Sequence, residues 1–543
     1  MVEAVTKGTN QHKYTNLFRD FLNEKAELKK YLYYDDPAEV VKQMKPPKID
    51  RHILCDILDK QNKAFKSKPE TFRAIEKLRQ DDTLVIFSGQ QPGLYGGPLL
   101  TLIKAIGIVK KAILLQSQIG KPVVPIFWIA CDDHDFEEVN HTFLFGRNGS
   151  AEKTQYRSED MPSVSVADIC FDDETGYKNL IDQTKSILGE SDFTEELYGR
   201  LFTAYSRDGN LVRAFARYLS DILPDFGMIL FCPYDKDVKT ISKSFFKRLA
   251  EGHFRSKELL NETEKELLDD GYHIQAQKKD TAINLFYHDP ERKAIHFEDD
   301  SFRVAGKKLG LPALLDLIDK YPERFSPDVL TRPIWQSYLF PVVAQSGGPS
   351  EIAYFCQIGK LFEHYGLVQP HILFRPALTL VENHHQKQME KYDLQLSDLA
   401  GDTEQIVNSL LSDTFPKEIE TKLSGFVNNF KSGFVELSDT ILESYSNMGP
   451  MTDQTYGKMD AALTHLEKKV HSQHKKNNEI IRNRIYKLSS TLYPNKSFQE
   501  RVININYFIS RYGFGIVDFM IEKMDIQSNE HQMIYLSDYK GKA

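Results

Sequence analysis

The sequence predicts an α/β protein in which an open parallel sheet is flanked by helices, interrupted by insertions and followed by a long helical arm. Three observations carry this. A βαβ unit lies between Thr83 and His141, further buried-strand candidates stand far downstream, and beyond Glu382 the pattern turns helical almost throughout.

Residues 10–80 read as mixed-charge helices, with Tyr14, Phe18 and Phe21 near the start, packing on the sheet as a preface. Thr83-Leu84-Val85-Ile86-Phe87 is a short apolar run bounded by turn residues, which suits a buried parallel strand. The loop Ser88-Gly89-Gln90-Gln91-Pro92-Gly93-Leu94-Tyr95-Gly96-Gly97-Pro98 follows. Residues 99–116 then form a helix with Leu99, Ile103, Ile106 and Val109 on its apolar face, stopped by Gly120-Lys121-Pro122. A second strand over 123–130 runs into Cys131-Asp132-Asp133-His134-Asp135. Ligands of open α/β sheets sit outside the carboxyl ends of the strands, so both polar segments should face one crevice.

Residues 1–150 thus hold the N-terminal helices and the first half of the core, and 151–225 read as a mostly helical insertion after a polar stretch at 146–161. Met228-Ile229-Leu230-Phe231-Cys232-Pro233 returns the chain to the sheet, so that 226–382 form the second half of the core, with a β-containing insertion near 270–305. Strand candidates at 339–344 and His371–Phe374 enclose Gln345-Ser346-Gly347-Gly348-Pro349-Ser350-Glu351 and a helix over 352–365. The two Gly-Gly-Pro turns each precede a helix, where N-terminal amides can meet an anion. In the arm, 383–490, Ile419, Leu423, Phe426, Phe430, Phe434, Leu437 and Ile441 recur by threes and fours. Tyr456, Met459, Leu463, Leu466 and Val470 repeat the pattern beyond Met448-Gly449-Pro450, giving a helical hairpin or coiled coil. Such an arm either folds back on its own core or pairs with a second copy, and a homodimer is expected. Residues 491–543 are expected to pack back on the core.

A net charge of −8, without a dense basic run, argues against nucleic acid. The start of the chain lacks a signal peptide's apolar core, and no run is long enough to span a bilayer, so a cytoplasmic protein is expected. The five cysteines form no Cys-x-x-Cys pair, which suits reduced thiols and not a structural zinc.

The first loop matches neither glycine-rich phosphate motif, and its glycines can serve a tight turn alone. Against that, Ser88, Gln90, Gln91 and Tyr95 supply more hydrogen-bonding groups than a connector needs, and Lys104 is placed to reach back towards a phosphate. In the second cluster, a helix through Asp132 to His141 would set His134, Glu138 and His141 on one face, as a metal site requires. The alternatives are helix capping by the aspartates or a polar substrate pocket in which carboxylates and an imidazole orient an amine or take its proton. Ser350 and Glu351 either cap the following helix, with Tyr354 packed inside, or bind ligand. Arg375 either neutralises a carboxylate or phosphate, or pairs with Glu382 or another acid.

The loop at 88–98 and Trp128-Ile129-Ala130-Cys131-Asp132-Asp133-His134-Asp135-Phe136 resemble the bacillithiol biosynthesis cysteine-adding enzymes, the BshC family. Gly348-Pro349-Ser350-Glu351-Ile352-Ala353-Tyr354, Ile372-Leu373-Phe374-Arg375-Pro376 with Thr379-Leu380-Val381-Glu382, and the segment 492–501 extend the resemblance over nearly the whole chain. It implies a Rossmann-like core related to class I aminoacyl-tRNA synthetases and a dimerising C-terminal coiled coil. It implies a ligase that joins the carboxyl group of cysteine to the amine of glucosaminyl-malate, with ATP as co-substrate; cysteine-specific synthetases select their thiol with zinc, but this chain shows no matching ligand set, so zinc is not expected. On this resemblance Asp133, His134 and Asp135 are the catalytic candidates. Ser88, Gly89, Gln90, Gln91, Gly93, Gly96, Gly97, Gly348, Ser350 and Glu351 are nucleotide-binding candidates, and Tyr95, Asp132, Asn140, His141, Tyr354 and Arg375 are substrate-binding ones. The synthetase His-x-x-His loop is replaced by Gly-Leu-Tyr-Gly-Gly, and no Lys-Met-Ser-Lys-Ser segment occurs. The competing readings are a catalytically degenerate nucleotide-binding scaffold acting through its coiled coil, and a metal-assisted hydrolase built on His134, Glu138 and His141.

Overall fold

The computed structural model describes residues 3–4, 14–45, 48–133, 135–156, 164–171, 174–205, 209–413 and 415–541. The chain divides into two units, residues 1–382 with 497–543, and residues 383–496. Among the described residues no helix is long and apolar enough to cross a membrane.

The first unit is built on five parallel strands: β1 (Leu84–Gln90), β2 (Val123–Ile129), β3 (Ile229–Phe231), β4 (Val342–Gly347) and β5 (His371–Phe374). Their order is β5-β4-β1-β2-β3, a Rossmann-like sheet. Strands are added outward from β1 first on one side and then on the other, so the topological switch point falls between β1 and β4. Alternation explains why these runs are apolar on both faces. Leu84 and Ile86 of β1, with Phe127 and Ile129 of β2, enter one core. Val85, Phe87, Ile126 and Trp128 enter the core on the other side. Helix α1 (Leu99–Ile119) covers the first face, and helices Arg51–Ala64 and Pro69–Leu78 contribute to the second.

Several local expectations give way. The polar stretch expected at 146–161 is, through Tyr156, part of a hairpin in which His141–Phe145 pairs antiparallel with Ala151–Gln155, and 157–161 lie outside the described residues. The strand expected from Leu339 begins at Val342, because Leu339 ends helix Arg332–Leu339. The helix expected over 352–365 is two, α2 (Pro349–Gln357) and Gly359–His364. The insertion near 270–305 is larger than a hairpin: Ala282–His288, Arg292–Glu298, Ser301–Val304, Lys307–Leu309 and Phe325–Pro327 form an antiparallel sheet.

In the second unit, helices Lys417–Ser444 and Gly449–Asn477 form a hairpin in which Tyr456 packs on Phe430 and Phe434, and Lys431 pairs with Asp460 at 3.2 Å. Helix Glu479–Leu492 follows, and Val407, Leu411 and Ile485 form a small core with it.

Candidate active site

At the switch point, a cavity of about 340 Å³ opens over the carboxyl ends of β1 and β4. Ser88, Gly89, Gln90 and Gln91 form one wall, and Gly348, Ser350 and Glu351, at the start of α2, form another. Ser88 ties the two strand ends together by donating to the Ser346 carbonyl at 2.8 Å. Gly89 is required by the sheet, since a Cβ there would lie 2.4 Å from the Trp128 carbonyl oxygen on β2.

Four cations line this space: Lys104, Arg332, Arg375 and Arg501. Two are committed. Lys104 donates to the Gly89 carbonyl at 2.9 Å and to Gln90 Oε1 at 3.0 Å, and pairs with Glu351 Oε2 at 2.9 Å. Burial alone would push the Glu351 carboxyl up, but Lys104 and the Gly348 amide hold it below the usual carboxylate range. Arg375 is 2% exposed and donates to Glu500 Oε1 at 2.7 Å. The other two carry no carboxylate partner among the described residues. Arg332 donates to the Tyr354 hydroxyl at 2.8 Å, and Arg501, an exposed residue, lines the cavity with its guanidinium partly desolvated. Gln345, 3% exposed, lines the same cavity with an Oε1 that accepts no hydrogen bond from the described residues. Two uncommitted guanidiniums and a helix N-terminus favour an anion of more than one charge.

A second cavity, about 360 Å³, adjoins the first and shares Gln91, Trp128, Ala130 and Arg332 with it. Its character is mixed. Asp132, Asp133 and Asp328 face Lys278 and Arg292, and the antiparallel insertion supplies the outer wall through Ala282, Phe286 and Ala294. Asp133 accepts from Gln91 Nε2 at 3.2 Å and lies 4.0 Å from Arg292 Nη1. Arg292 also lies over the Phe286 ring, 3.7 Å from its centroid. Asp132 is held by Lys239, fully buried, at 2.6 Å.

The two domains of this chain match known families in turn. Residues 4–376 match the family described as "Bacillithiol biosynthesis BshC, N-terminal Rossmann-like domain", and residues 378–536 match "Bacillithiol biosynthesis BshC, C-terminal coiled-coil domain". The chain belongs to the BshC family. A relative from Salinibacter ruber is 30% identical over 89% of both chains. One from Koribacter versatilis is 29% identical over 94% of this chain and 95% of its own. A third, from Bacillus cytotoxicus, is 28% identical over 90% and 91%. Each carries the name "Putative cysteine ligase BshC". The chain is therefore a ligase-family enzyme of bacillithiol biosynthesis.

Within this BshC chain several expected site residues lie elsewhere. Tyr95 is fully buried against Tyr205, ring centroids 5.1 Å apart, so it cannot bind substrate. Gly93, Gly96 and Gly97 do not present amides to a ligand. The Leu99 N–H donates to the Ile503 carbonyl at 2.8 Å, the Gly96 N–H donates to the Tyr205 hydroxyl, and Asn504 Nδ2 donates to the carbonyls of Tyr95 and Gly97. Gly348 N–H donates to Glu351 Oε2 at 2.8 Å, so Glu351 is a cap as well as a wall. Arg375 pairs with Glu500 and not Glu382, whose carboxylate takes Tyr507, Tyr512 and Arg511. Asp135 caps the four-residue helix Phe136–Val139, accepting from the Glu138 amide at 3.1 Å. That helix is too short to align three ligands. His141 opens a strand instead, bonded to the 1% exposed Asn140, and neither lines either cavity. The metal-site geometry therefore lacks its scaffold. His134 lies outside the described residues. Cys131 meets Cys232, their Sγ atoms 3.4 Å apart, and all five cysteines are free.

Sequence reasoning missed Arg332, Arg292 and Lys278, which carry no local signal, and it quoted Gln345 only as the start of the second glycine-containing segment. Arg501 ends the last segment of the family resemblance, and that was its one available cue.

Proposed function

We propose that this protein joins the carboxyl group of cysteine to the amine of glucosaminyl-malate, with a nucleoside triphosphate, ATP, activating the carboxylate. The observation that carries the reading is the pair of adjoining cavities, one carrying four cations and one of mixed charge in which Asp132, Asp133 and Asp328 face Lys278 and Arg292, that share a wall at the switch point. A free carboxylate does not acylate an amine in water, so activation needs an anionic co-substrate beside the acyl donor. The cationic cavity suits the phosphates, through Arg332, Arg501 and the Ser350 end of α2, with Gln345 Oε1 as a further acceptor for a ligand donor. The second cavity suits the polar substrates: Asp133 supports an ammonium group or takes its proton, and Arg292 supports a carboxylate.

The exposed apolar side chains of the arm, among them Ile419, Phe426, Leu437, Met459 and Leu466, support pairing with a second copy. Light scattering must then give a mass near twice 62.6 kDa. The activity is tested by incubating the protein with cysteine, glucosaminyl-malate and ATP and identifying the product by mass spectrometry. Cysteine-dependent pyrophosphate exchange distinguishes adenylation from phosphorylation. Absence of any ligated product refutes the reading.

A further inference from the structure

The two cavities meet at four residues, Gln91, Trp128, Ala130 and Arg332. Only one of them is charged. We infer that Arg332 is the catalytic cation of the reaction, spanning the junction at which the acyl donor's carboxylate meets the activating phosphoryl group. This rests on the ligase reading above and names a residue that neither the motifs nor the family resemblance singles out.

The chemistry of that junction requires a positive charge. A carboxylate oxygen donates an electron pair to phosphorus, the P–O bond to the departing phosphate breaks, and the leaving group takes that bond's electrons. Nucleophile, centre and leaving group are all anionic, so their mutual repulsion is the barrier a fixed cation lowers. In the second half, the substrate amine attacks the acyl carbon, the bridging oxygen of the acyl phosphate leaves on phosphorus with the C–O electrons, and the amine proton passes to a base such as Asp133.

Arg332 is built for this position and for little else. Its helix, Arg332–Leu339, starts directly at the cavities, with Pro333 in the first turn and the fully buried Trp335 anchoring it. One guanidinium nitrogen is fixed by the Tyr354 hydroxyl at 2.8 Å, and no carboxylate among the described residues comes within ion-pair reach. The other cations are less suited. Lys104 is saturated by three acceptors, Arg375 is paired with Glu500, Arg501 lines only the first cavity and Arg292 only the second. Burial opposes the charge on Arg332, but Tyr354, Glu351 and Asp133 sustain it, two of them from the first cavity and one from the second.

The test is steady-state ligation by wild type, Arg332→Lys and Arg332→Ala, each checked for an unchanged melting temperature, with both substrates varied. Arg332→Lys keeps the charge and loses the planar fork, so it covers the case in which the alanine variant does not fold. The expected result is a kcat at least about a hundredfold down in either variant with each KM within about threefold. Added guanidinium should restore part of the activity of Arg332→Ala, which a purely structural defect would not allow. A kcat within about fivefold of wild type, or a loss confined to the KM of one substrate, overturns the inference. If wild type itself forms no product, the ligase reading fails and not merely the role of Arg332.

Discussion

The chain uses the same strand-to-helix signature twice, and the two copies meet opposite fates. Gly96-Gly97-Pro98 and Gly347-Gly348-Pro349 each lead from a strand of the parallel sheet into a helix. The first turn is sealed: Asn504, Ile503 and Tyr205 occupy its carbonyls and amides, and Tyr95 lies beneath it. The second has its Gly347 carbonyl and Gly348 N–H taken, by the Arg375 amide and by Glu351, yet it borders the cationic cavity with the Ser350 end of α2. A glycine-rich turn before a helix can meet an anion only where it borders open space, whatever its glycines. That condition is set by residues far away in sequence, here about four hundred positions downstream.

Asn504→Ala tests the sealed turn and should have the largest effect on stability. Asn504 is fully buried, donates to the carbonyls of Tyr95 and Gly97, and accepts from the Asn506 amide at 2.8 Å. Stranding these groups costs about 3 kcal/mol. A urea titration should show the loss, while kcat of the remaining folded enzyme changes little. If stability holds and nucleotide affinity collapses instead, the first turn is the binding one and the contrast between the two is inverted.

How far the sequence could anticipate this is a matter of range. The strands were legible because each is a short apolar run, and the end of β1 because Ser88, Gln90 and Gln91 crowd more polar groups there than a turn needs. The His141–Phe145 hairpin was not, since its partner Ala151–Gln155 carries few apolar residues. The acidic run after β2 reads equally as helix or cap, and Asp135 settles it as a cap over a single turn. Arg332, Arg375 and Arg501 come from separate segments and meet Lys104 only because β4 lies beside β1. No periodicity encodes that adjacency.

Behind the open turn, Arg375 is held by Glu500, and His531 lies close enough to feel both charges. Burial pushes His531 down to about 4 from its ordinary 6.5, against the pull of Glu500 and with the push of Arg375. The folded protein then binds fewer protons at His531 than the unfolded chain between pH 6.5 and 4, so stability falls as pH drops through that window. By pH 5 the cost is about 2 kcal/mol. Glu500, held below its usual range by Arg375 despite burial, adds a loss of the same sign only below its unfolded value of 4.5. Denaturation at pH 7 and pH 5 should therefore show a shallower acid loss for His531→Gln than for wild type. Equal slopes would mean that His531 is charged in the fold.

The smallest effect expected belongs to Arg501, and it separates the rim of the open turn from its floor. Burial and the like charge of Arg375 depress the Arg501 guanidinium more than Glu500 and Glu351 sustain it, and no carboxylate among the described residues pairs with it, so a bound anion relieves the strain. Arg501→Gln should therefore leave folding unharmed and raise the KM for the nucleotide about tenfold, or about 1.4 kcal/mol. Arg501 is an exposed residue whose guanidinium is only partly desolvated, so salt should shrink that difference in part: at physiological ionic strength the screening length is about 8 Å. Arg332 is screened far less at the junction, and the kcat defect of its variants should persist as salt rises. A rim effect indifferent to salt would place the Arg501 contact inside the cavity, and the two arginines would then form a single anion clamp.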